Sequence, residues 1–539
     1  GTQRTGAQAH FYMETQATLA IPGEMGRMTL YSSSQHLATC QLTVAAALNL
    51  PASKVEAKAT RVGGGYGGKE VRPPTIATAA AVAAWKLNRP VRLALDRNTD
   101  MIMIGKRHPF KGTYYLSADS TGRIEKLRID FASNAGFSYD CSLPIMDLVL
   151  LSADNTYKVD TFQANGTVCR TNLATNTAFR SFGVIQCGLI LEEAIEHLAH
   201  QLNTTAEAIR ERNFYQDATI DSFDLTPYGQ QLRYCRIHQV WADLRTKADF
   251  DARSQAVKDF NAANRWRKRG IAMAPIKYGI SYTYMPMNQG SAEVLVYTDG
   301  SVLVHHGGIE MGQGIDTKIL QITANALGIP QDLISIDHGD TSTVPNANST
   351  GASTGTDLQG GAVLAAAIQL RERLVKFCQD NPSSAPPHWQ QDWAGSWKAI
   401  VKAASNMRVD LSSEASFASP NLGQLGPDGQ LPPGEQMFYY FTYSAAASEV
   451  EIDVLTGEFT ILRSDVIYDA GQTLNSDLDF GQVEGGFIQG IGNVTTEEIY
   501  YAQDGRPYSY GTWNYKPPCS KTIPVEFNTN LLELSLIHI

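Results

Sequence analysis

The sequence predicts an α+β fold with two lobes, and three observations lead to this prediction. Strand-like and helix-like segments are mixed in the first half of the chain, and two hairpin patterns follow in the second half. The chain has 539 residues, whereas a single hydrophobic core stops growing near about 250–300 residues. The strongly charged stretch 245–270 is typical either of a boundary between lobes or of a solvated helix face. We therefore expect lobe 1 over 1–260, lobe 2 over 261–534 and a non-native tail over 535–539.

The first half contains four strand-like and three helical segments. Alternating or β-branched apolar residues predict strands at Arg27–Ser33, Val55–Val62, Val91–Asp96 and Arg128–Ala132. An alanine-rich run after a proline pair predicts a helix at Thr75–Leu87. An apolar stripe predicts a second helix at Val184–Gln201, and a short segment of apolar and charged residues predicts a third at Ala206–Phe214.

The second half contains two hairpin patterns of similar shape. The first joins Ala292–Tyr297 to Val302–His306, and the second joins Glu449–Val454 to Phe459–Val466. Their shared shape points to related subdomains. Residues 379–435 are rich in Pro, Ser, Gln and Gly, which predicts a surface loop.

Composition excludes several classes of partner. The formal net charge of −10 argues against nucleic acid and anionic membrane surfaces. No stretch approaches the roughly 20 apolar residues of a membrane span. The seven cysteines are dispersed, which argues against a disulfide framework or a cysteine-ligated metal and favours a reducing compartment.

The strongest local signal is a glycine-rich segment, Arg61–Glu70, between a predicted strand and a predicted helix. Five of its residues from 63 to 68 are glycines, which are costly to order and let bare backbone approach a ligand. Backbone N–H groups at a helix N-terminus suit an anion. The position of Lys69 does not fit a P-loop.

Three further glycine clusters follow, at Gly307–Gly314, Asn348–Thr356 and Gly481–Gly490. Each places Gln, Ser or Thr beside flexible backbone, so the four together indicate an extended polar ligand. A fifth segment, Thr171–Gly183, carries Arg180, which could clamp an anion, and Phe182, which could stack on a planar substrate.

These segments, taken in order, resemble the molybdopterin domain of the xanthine dehydrogenase/aldehyde oxidase family over nearly the whole chain. The resemblance is carried by FYMET, SSSQ, VGGGYGGKE, SNAG, TNTAFRSFG, YTDGSVLVHHGG, EMGQG and GQVEGGFIQG. It implies a two-lobed molybdopterin-binding fold with the cofactor between the lobes, and a metal that needs no Cys or His ligand from the protein.

The resemblance implies roles for particular residues. Gln35 would contact an oxygen ligand of molybdenum, and Tyr66, Arg180 and Ala352 would lie against the metal centre. The pyranopterin and its phosphate tail would be held by Gly65, Gln313, Ser353, Thr354, Thr356 and Gln482. The substrate would be lined by Glu70, Leu148, Phe182, Tyr282 and Thr283.

The implied reaction is hydroxylation of an electron-poor sp² carbon of a purine such as hypoxanthine or xanthine, with water as the oxygen source. Electrons would leave through 2Fe-2S clusters to FAD on preceding domains of the parent enzyme. That enzyme would be a homodimer in the cytoplasm or the peroxisome.

Two departures from the family pattern change these expectations. Leu148 stands where xanthine-oxidising members carry an arginine, whereas Glu70 matches them, so an aldehyde oxidase acting on aldehydes and N-heterocycles is the alternative. The family's catalytic base is a glutamate in a Gly-Glu-Pro-Pro segment, and the chain contains no such segment. We therefore expect a C-terminally truncated sequence that is inactive as given.

Two rivals from other classes remain. One is a cofactor-less binding module that kept the fold, which predicts no bound molybdenum. The other is a secreted glycan-processing enzyme, based on Asn-x-Ser/Thr triplets such as the one at Asn165.

Overall fold

The computed structural model describes residues 1–219, 221–337 and 339–532. The strands are β1 Thr2–Thr5, β2 Ala17–Gly23, β3 Arg27–Ser32, β4 Val55–Lys58, β5 Val91–Ala94, β6 Phe110–Ala118, β7 Ile124–Gly136, β8 Thr161–Arg170, β9 Arg267–Ile280, β10 Gln289–Val296, β11 Val302–His306, β12 Ile334–Asp337, β13 Ser412–Ala418, β14 Tyr440–Asp453, β15 Phe459–Tyr468 and β16 Glu526–Leu531. The helices are α1 Leu37–Leu48, α2 Pro73–Leu87, α3 Arg97–Met103, α4 Ser142–Ser152, α5 Val184–Gln201, α6 Ala206–Asn213, α7 Ile237–Lys247, α8 Phe250–Ala263, α9 Ile315–Leu327, α10 Gly355–Asp380, α11 Trp393–Asn406 and α12 Ser476–Val494. The α+β class is confirmed.

The chain forms two compact units, each built from separated segments. Unit 1 contains residues 1–11, 101–283 and 421–532, and unit 2 contains residues 12–100 and 284–420. The sequential division at residue 260 is a different one and stays a prediction, and the tail at 535–539 lies outside the described residues.

Each unit contains two four-stranded sheets, and all four sheets share the order of three strands, whereas the fourth strand precedes these three along the chain in unit 1 and follows the hairpin's crossover in unit 2. Their orders are β1-β6-β7-β8 and β16-β15-β14-β9 in unit 1, and β4-β3-β2-β5 and β12-β11-β10-β13 in unit 2. In every sheet an antiparallel hairpin is followed by a helix and then by a parallel edge strand. The similarity of the two predicted hairpins is therefore part of a ββαβ pattern that occurs four times in the described residues.

Helices cover these sheets in a repeated way. The crossover helix of each pattern (α1, α4, α9 or α12) lies against the parallel edge strand. In three of the four patterns the next long helix (α2, α5 or α10) packs against the first hairpin strand. Three of the four glycine clusters, at 61–70, 307–314 and 348–356, lie in loops that precede these helices.

The cores follow from the apolar faces of these elements. In α5 the buried residues include Cys187, Ile190, Leu191, Ala194 and Ile195, a helical spacing that places one face on the main core of unit 1. The cores of unit 2 lie under α9 to α11 and under α1 and α2. Among the described helices, none combines the length and the apolar character that crossing a bilayer requires.

Most predicted elements are confirmed, but the loop at 379–435 is wrong. That stretch contains α11 and β13. In α11, Trp397, Ile400, Val401 and Ala404 are fully buried, and their spacing by three or four residues is that of a helix face. The polar, proline-containing flanks concealed this pattern. The charged stretch at 245–270 contains α8, whose largely solvated surface agrees with the helix alternative.

Candidate functional site

In unit 2, two loops far apart in sequence meet at the side chain of Gln35, just before α1. Its Oε1 accepts hydrogen bonds from the backbone N–H groups of Gly67, at 2.9 Å, and Lys69, at 3.3 Å. Its Nε2 donates to the carbonyl of Thr350 at 3.0 Å. Gln35 is only 3% exposed, so this amide joins the glycine-rich loop 61–70 to the polar loop 348–356.

Thr350 connects this junction to a third loop, residues 307–314. Its Oγ1 accepts a hydrogen bond from the N–H of Ile309 at 2.9 Å. Within that loop the Gln313 amide folds back, donating to the Ile309 carbonyl and accepting from the Met311 N–H, both at 2.8 Å. Three of the predicted cofactor-binding segments are thus held together by the buried Gln35 amide and the half-buried side chains of Thr350 and Gln313.

The glycine-rich loop has no room for a side chain at Gly65, where its backbone passes Gln35. A Cβ atom on Gly65 would lie 2.5 Å from Gln35 Oε1 and 3.0 Å from Met311 Sδ. The next residue, Tyr66, has a φ of 54°, in the left-handed region that non-glycine residues rarely adopt. Such strain persists only where the surroundings enforce it, and it concentrates at ligand sites.

The loop 348–356 shows the same kind of strain before α10. Ala352 and Ser353 have φ values of 51° and 59°. The N-cap residue is Thr354, and within the described chain its side chain accepts no hydrogen bond from the first turn of the helix. The first-turn N–H groups, which include Thr356, can therefore receive an anion.

Two residues that sequence analysis did not single out organise these loops. One is Thr350, described above. The other is Glu310, 7% exposed, whose carboxylate accepts hydrogen bonds from the N–H groups of Gly312, Gly314 and Asp316 at 2.7–3.2 Å. An acidic side chain just before a helix N-terminus was the available signal for Glu310.

The end of the glycine-rich loop carries two charged residues with different surroundings. Lys69 is fully buried, and its Nζ donates to Glu14 Oε2 at 3.0 Å. Burial lowers the pKa of Lys69, although the charge of Glu14 opposes that shift. Glu70 is half-buried, and its Oε1 accepts a hydrogen bond from Ser349 Oγ at 2.9 Å. Lys69 therefore anchors the loop, whereas Ser349 orients the Glu70 carboxylate.

In unit 1, Arg180 lies against α12. Its Nη2 donates to the main-chain carbonyl of Gln482 at 2.7 Å, and a Cβ on Gly486 would lie 3.2 Å from that same Nη2. The fourth glycine cluster is thus helix interior and not a flexible loop, which corrects our expectation. Two of its glycines, Gly485 and Gly486, leave room for the guanidinium beside the helix, although glycine is a poor helix former.

The structure places two of the four substrate-lining residues predicted in unit 1 at one apolar cluster. Leu148 on α4 is buried, and half-buried Phe182 packs against the same apolar cluster. Tyr282 and Thr283 follow β9 and are half-buried. Among the described residues, this cluster contains neither of them.

The turn before Phe182 rests on a stack of three side chains. The Phe179 ring lies 4.4 Å from the His10 ring centroid, and the Arg107 guanidinium lies 3.9 Å from the Phe179 centroid. His10 Nε2 is 2.7 Å from the carbonyl of Ala178, to which it donates when that nitrogen carries the proton. Burial lowers the pKa of His10 to about 3.

We expect His10 to make the protein sensitive to acid. The folded pKa lies below the unfolded value of about 6.5, so this contribution to stability is complete above pH ~6.5 and is lost as pH falls towards the folded value. The loss is about 1.4 kcal/mol per pH unit. Urea unfolding at pH 7 and pH 5 should show a smaller pH effect in His10→Gln than in the wild type. An exposed-site control, His200→Gln, should match the wild type; equal pH effects in all three proteins would contradict the assignment.

The surroundings of Gln35 fit a phosphate-bearing cofactor with a polar ring system. They offer a backbone cradle that a Cβ at Gly65 would fill, a polar amide, and an α10 N-terminus without a side-chain cap. Comparisons with known proteins agree. The molybdopterin cofactor-binding domain family matches residues 1–214 and, separately, residues 243–524.

Relatives and solved structures point the same way. Xanthine dehydrogenase of Oryza sativa subsp. japonica is 43% identical over 541 residues, covering 99% of this chain and 38% of the relative. Xanthine dehydrogenase/oxidase of Mus musculus is 42% identical over 528 residues, covering 98% of this chain and 38% of the relative. The chain therefore spans well under half the length of these relatives.

Solved structures show the same fold at low identity. Quinoline 2-oxidoreductase from Pseudomonas putida 86 superimposes with a TM-score of 0.83 at 20% identity, covering 99% of this chain and 69% of that one. Aldehyde oxidoreductase from Desulfovibrio gigas superimposes with a TM-score of 0.84 at 21% identity, covering 99% of this chain and 55% of that one. The chain belongs to the molybdopterin cofactor-binding domain family.

Proposed function

We propose that the loops around Gln35 hold the molybdenum–molybdopterin cofactor. Gln35, Tyr66 and Ala352 would face the metal, together with the backbone of Arg180. The pterin and its phosphate would be held by Gly65, Gln313, Ser353, Thr354, Thr356 and Gln482. The observation that carries this proposal is the joining of three strained or glycine-rich loops, two by the buried Gln35 amide and the third through the Thr350 hydroxyl.

The cofactor, when bound, supplies a metal centre that accepts two electrons while oxygen from water enters a carbon–hydrogen bond. The chain's own residues bind and orient the substrate. The Phe182 ring would stack on a planar heterocycle, an interaction worth roughly 0.5–1.5 kcal/mol beyond area burial. The Glu70 carboxylate, oriented by Ser349, would accept hydrogen bonds from ring N–H groups.

We propose that the parent enzyme hydroxylates a purine such as hypoxanthine or xanthine. The relatives named xanthine dehydrogenase and the oriented Glu70 carboxylate support this. The electrons would leave through 2Fe-2S and FAD domains of a homodimer in the cytoplasm or the peroxisome, and the seven free cysteines fit such reducing compartments. A Gly-Glu-Pro-Pro base is missing from the sequence given, so we propose that this chain alone binds cofactor without turnover.

Leu148 favours a second candidate, an aldehyde oxidase. It is buried and apolar, so it cannot stabilise negative charge that develops on a purine. Losing such a stabilising group costs about 2.7–4 kcal/mol in other enzymes. Aldehyde oxidation does not place charge on a purine ring and would tolerate leucine.

Substituting Glu70 distinguishes the two candidates. In the full-length enzyme, Glu70→Gln should lower kcat/KM for xanthine by about 10–100-fold, because a hydrogen-bond acceptor for the substrate loses its charge. It should leave benzaldehyde oxidation nearly unchanged. The control is Glu125→Gln, an exposed carboxylate on β7. A wild-type enzyme that oxidises benzaldehyde but not xanthine would overturn the purine proposal in favour of the aldehyde one.

A further inference from the structure

The backbone that presents Phe182 is an uncommon turn. Ser181, Phe182 and Gly183 have consecutive φ values of 78°, 46° and 104°. Left-handed geometry at a non-glycine residue costs on the order of 1–3 kcal/mol each, so something outside the turn must hold it. Among the described residues, two backbone hydrogen bonds lie within it, from Phe182 N–H to the Phe179 carbonyl and from Val184 N–H to the Ser181 carbonyl, at 2.8 and 2.9 Å.

The Arg107 side chain supplies the external contacts. One guanidinium nitrogen, Nη1, donates to the carbonyl of Arg180 at 2.8 Å and to Ser181 Oγ at 3.1 Å. The guanidinium carbon Cζ lies over the Phe179 ring, 3.9 Å from its centroid. Arg107 is 3% exposed, so these charge-assisted bonds are shielded from competing water.

A buried polar relay fixes Arg107 in turn. Its Nε donates to Gln8 Oε1 at 3.0 Å, and Gln8 Nε2 donates to Glu497 Oε1 at 3.1 Å. The other oxygen of Glu497 accepts a hydrogen bond from the hydroxyl of Tyr515. All four side chains are at most 8% exposed, and the Glu497 carboxylate balances the guanidinium charge through the Gln8 amide.

The same buried relay also contacts helix α12. Gln8 Nε2 donates to the main-chain carbonyl of Gln489 at 2.9 Å. One face of α12 presents Gln482, which accepts from Arg180, and Gln489, which lies two turns later along the helix. Arg107 therefore stands where the N-terminal segment, the turn and α12 are joined.

We propose that Arg107 is a positioning residue for substrate binding. It holds the Ser181–Gly183 turn so that the Phe182 ring faces the substrate. The inference rests on the proposed function only for the identity of Phe182 as a substrate contact. The hold of Arg107 on the turn does not depend on that identity and is measured separately.

The test uses the full-length holoenzyme carrying Arg107→Gln or Arg107→Lys. The matched control is Arg210→Gln, because Arg210 is an equally buried guanidinium, 2% exposed, that pairs with Glu192 and Glu196 away from the turn. Hydrogen exchange is followed in a peptide over residues 178–184 and in a peptide over α6. Metal content, kcat and KM are then measured with xanthine and with benzaldehyde.

Arg107→Gln should speed exchange in the 178–184 peptide by about tenfold or more and leave α6 unchanged. Arg210→Gln should speed exchange in the α6 peptide and leave the 178–184 peptide unchanged. KM for whichever aromatic substrate the enzyme oxidises should rise by about tenfold, with a smaller change in kcat and normal metal content. Arg107→Lys, which retains the charge, should recover part of both effects.

Two results would overturn the proposal in different ways. Exchange at 178–184 that matches the Arg210→Gln control would remove any hold of Arg107 on the turn. Faster exchange with unchanged KM for both substrates would show that the turn is held but that Phe182 does not contact substrate, and it would thereby overturn the substrate assignment.

Discussion

Replacing Gly65 with alanine in the full-length enzyme should lower turnover by about 100-fold or more, the loss expected when a site shifts by roughly 1 Å. The new Cβ would lie 2.5 Å from Gln35 Oε1. That oxygen cannot move away freely, because it accepts hydrogen bonds from Gly67 and Lys69. Each buried donor left unpaired costs about 1–3 kcal/mol, so the loops must separate.

Steady-state turnover of the substrate checks this prediction, with thermal unfolding measured alongside to establish that the variant folds. The matched control is Gly6→Ala, because a Cβ built at Gly6 would have no heavy atom within 4 Å among the described residues other than Gly6 and its two chain neighbours. That variant should retain wild-type turnover. If Gly65→Ala were as active as Gly6→Ala, the close approach of the loop to Gln35 would have no role in function.

Breaking the buried ion pair between Lys277 and Asp154 should destabilise the protein by about 3–5 kcal/mol, because the remaining charge is left without its partner. The two side chains are 1% and 2% exposed. Asp154 also accepts a hydrogen bond from the Tyr215 hydroxyl at 2.7 Å. The pair links the end of α4, which carries Leu148, to β9, which leads to Tyr282.

The measurement is the free energy of unfolding in urea for Lys277→Met, for Asp154→Asn and for the double variant. Each single variant should lose several kcal/mol, whereas the double variant should lose less than the sum, because neither charge is then left unpaired. Additive losses, or a single-variant loss below about 1 kcal/mol, would show that the pair behaves like an exposed salt bridge.

The sequence predicts those elements whose pattern is local and unbroken. Helix α5 begins and ends at the predicted residues, Val184 and Gln201, because its apolar stripe is continuous along one face. The hairpins at 292–306 and 449–466 were predicted correctly because each contains a turn with glycine at a positive φ, Gly300 and Gly457.

Composition misled the prediction where a pattern was short or mixed. The helix α11 lies between proline-rich and glutamine-rich flanks, so its buried face at Trp397 and Ile400 was not recognised. The glycines of α12 were interpreted as loop residues, whereas they lie within a helix, where Gly486 leaves room for the close contact of Arg180. A distant contact of this kind leaves no mark in the local sequence.

The site illustrates the same limit. Resemblance to a family brought Gln35 and Gly65 forward, and the structure places them together. Thr350, Glu310 and Arg107 were missed because their importance lies in hydrogen bonds to backbone groups of other loops. Such bonds follow from the tertiary fold and not from the type of residue.

Molybdenum per chain, measured by elemental mass spectrometry, tests most directly whether the loops around Gln35 hold the cofactor. Full-length wild-type protein and Gly6→Ala from a molybdopterin-producing host should each contain about one molybdenum per chain, and Gly65→Ala should contain very little. Wild-type protein without molybdenum, or Gly65→Ala with the wild-type amount, would contradict this assignment.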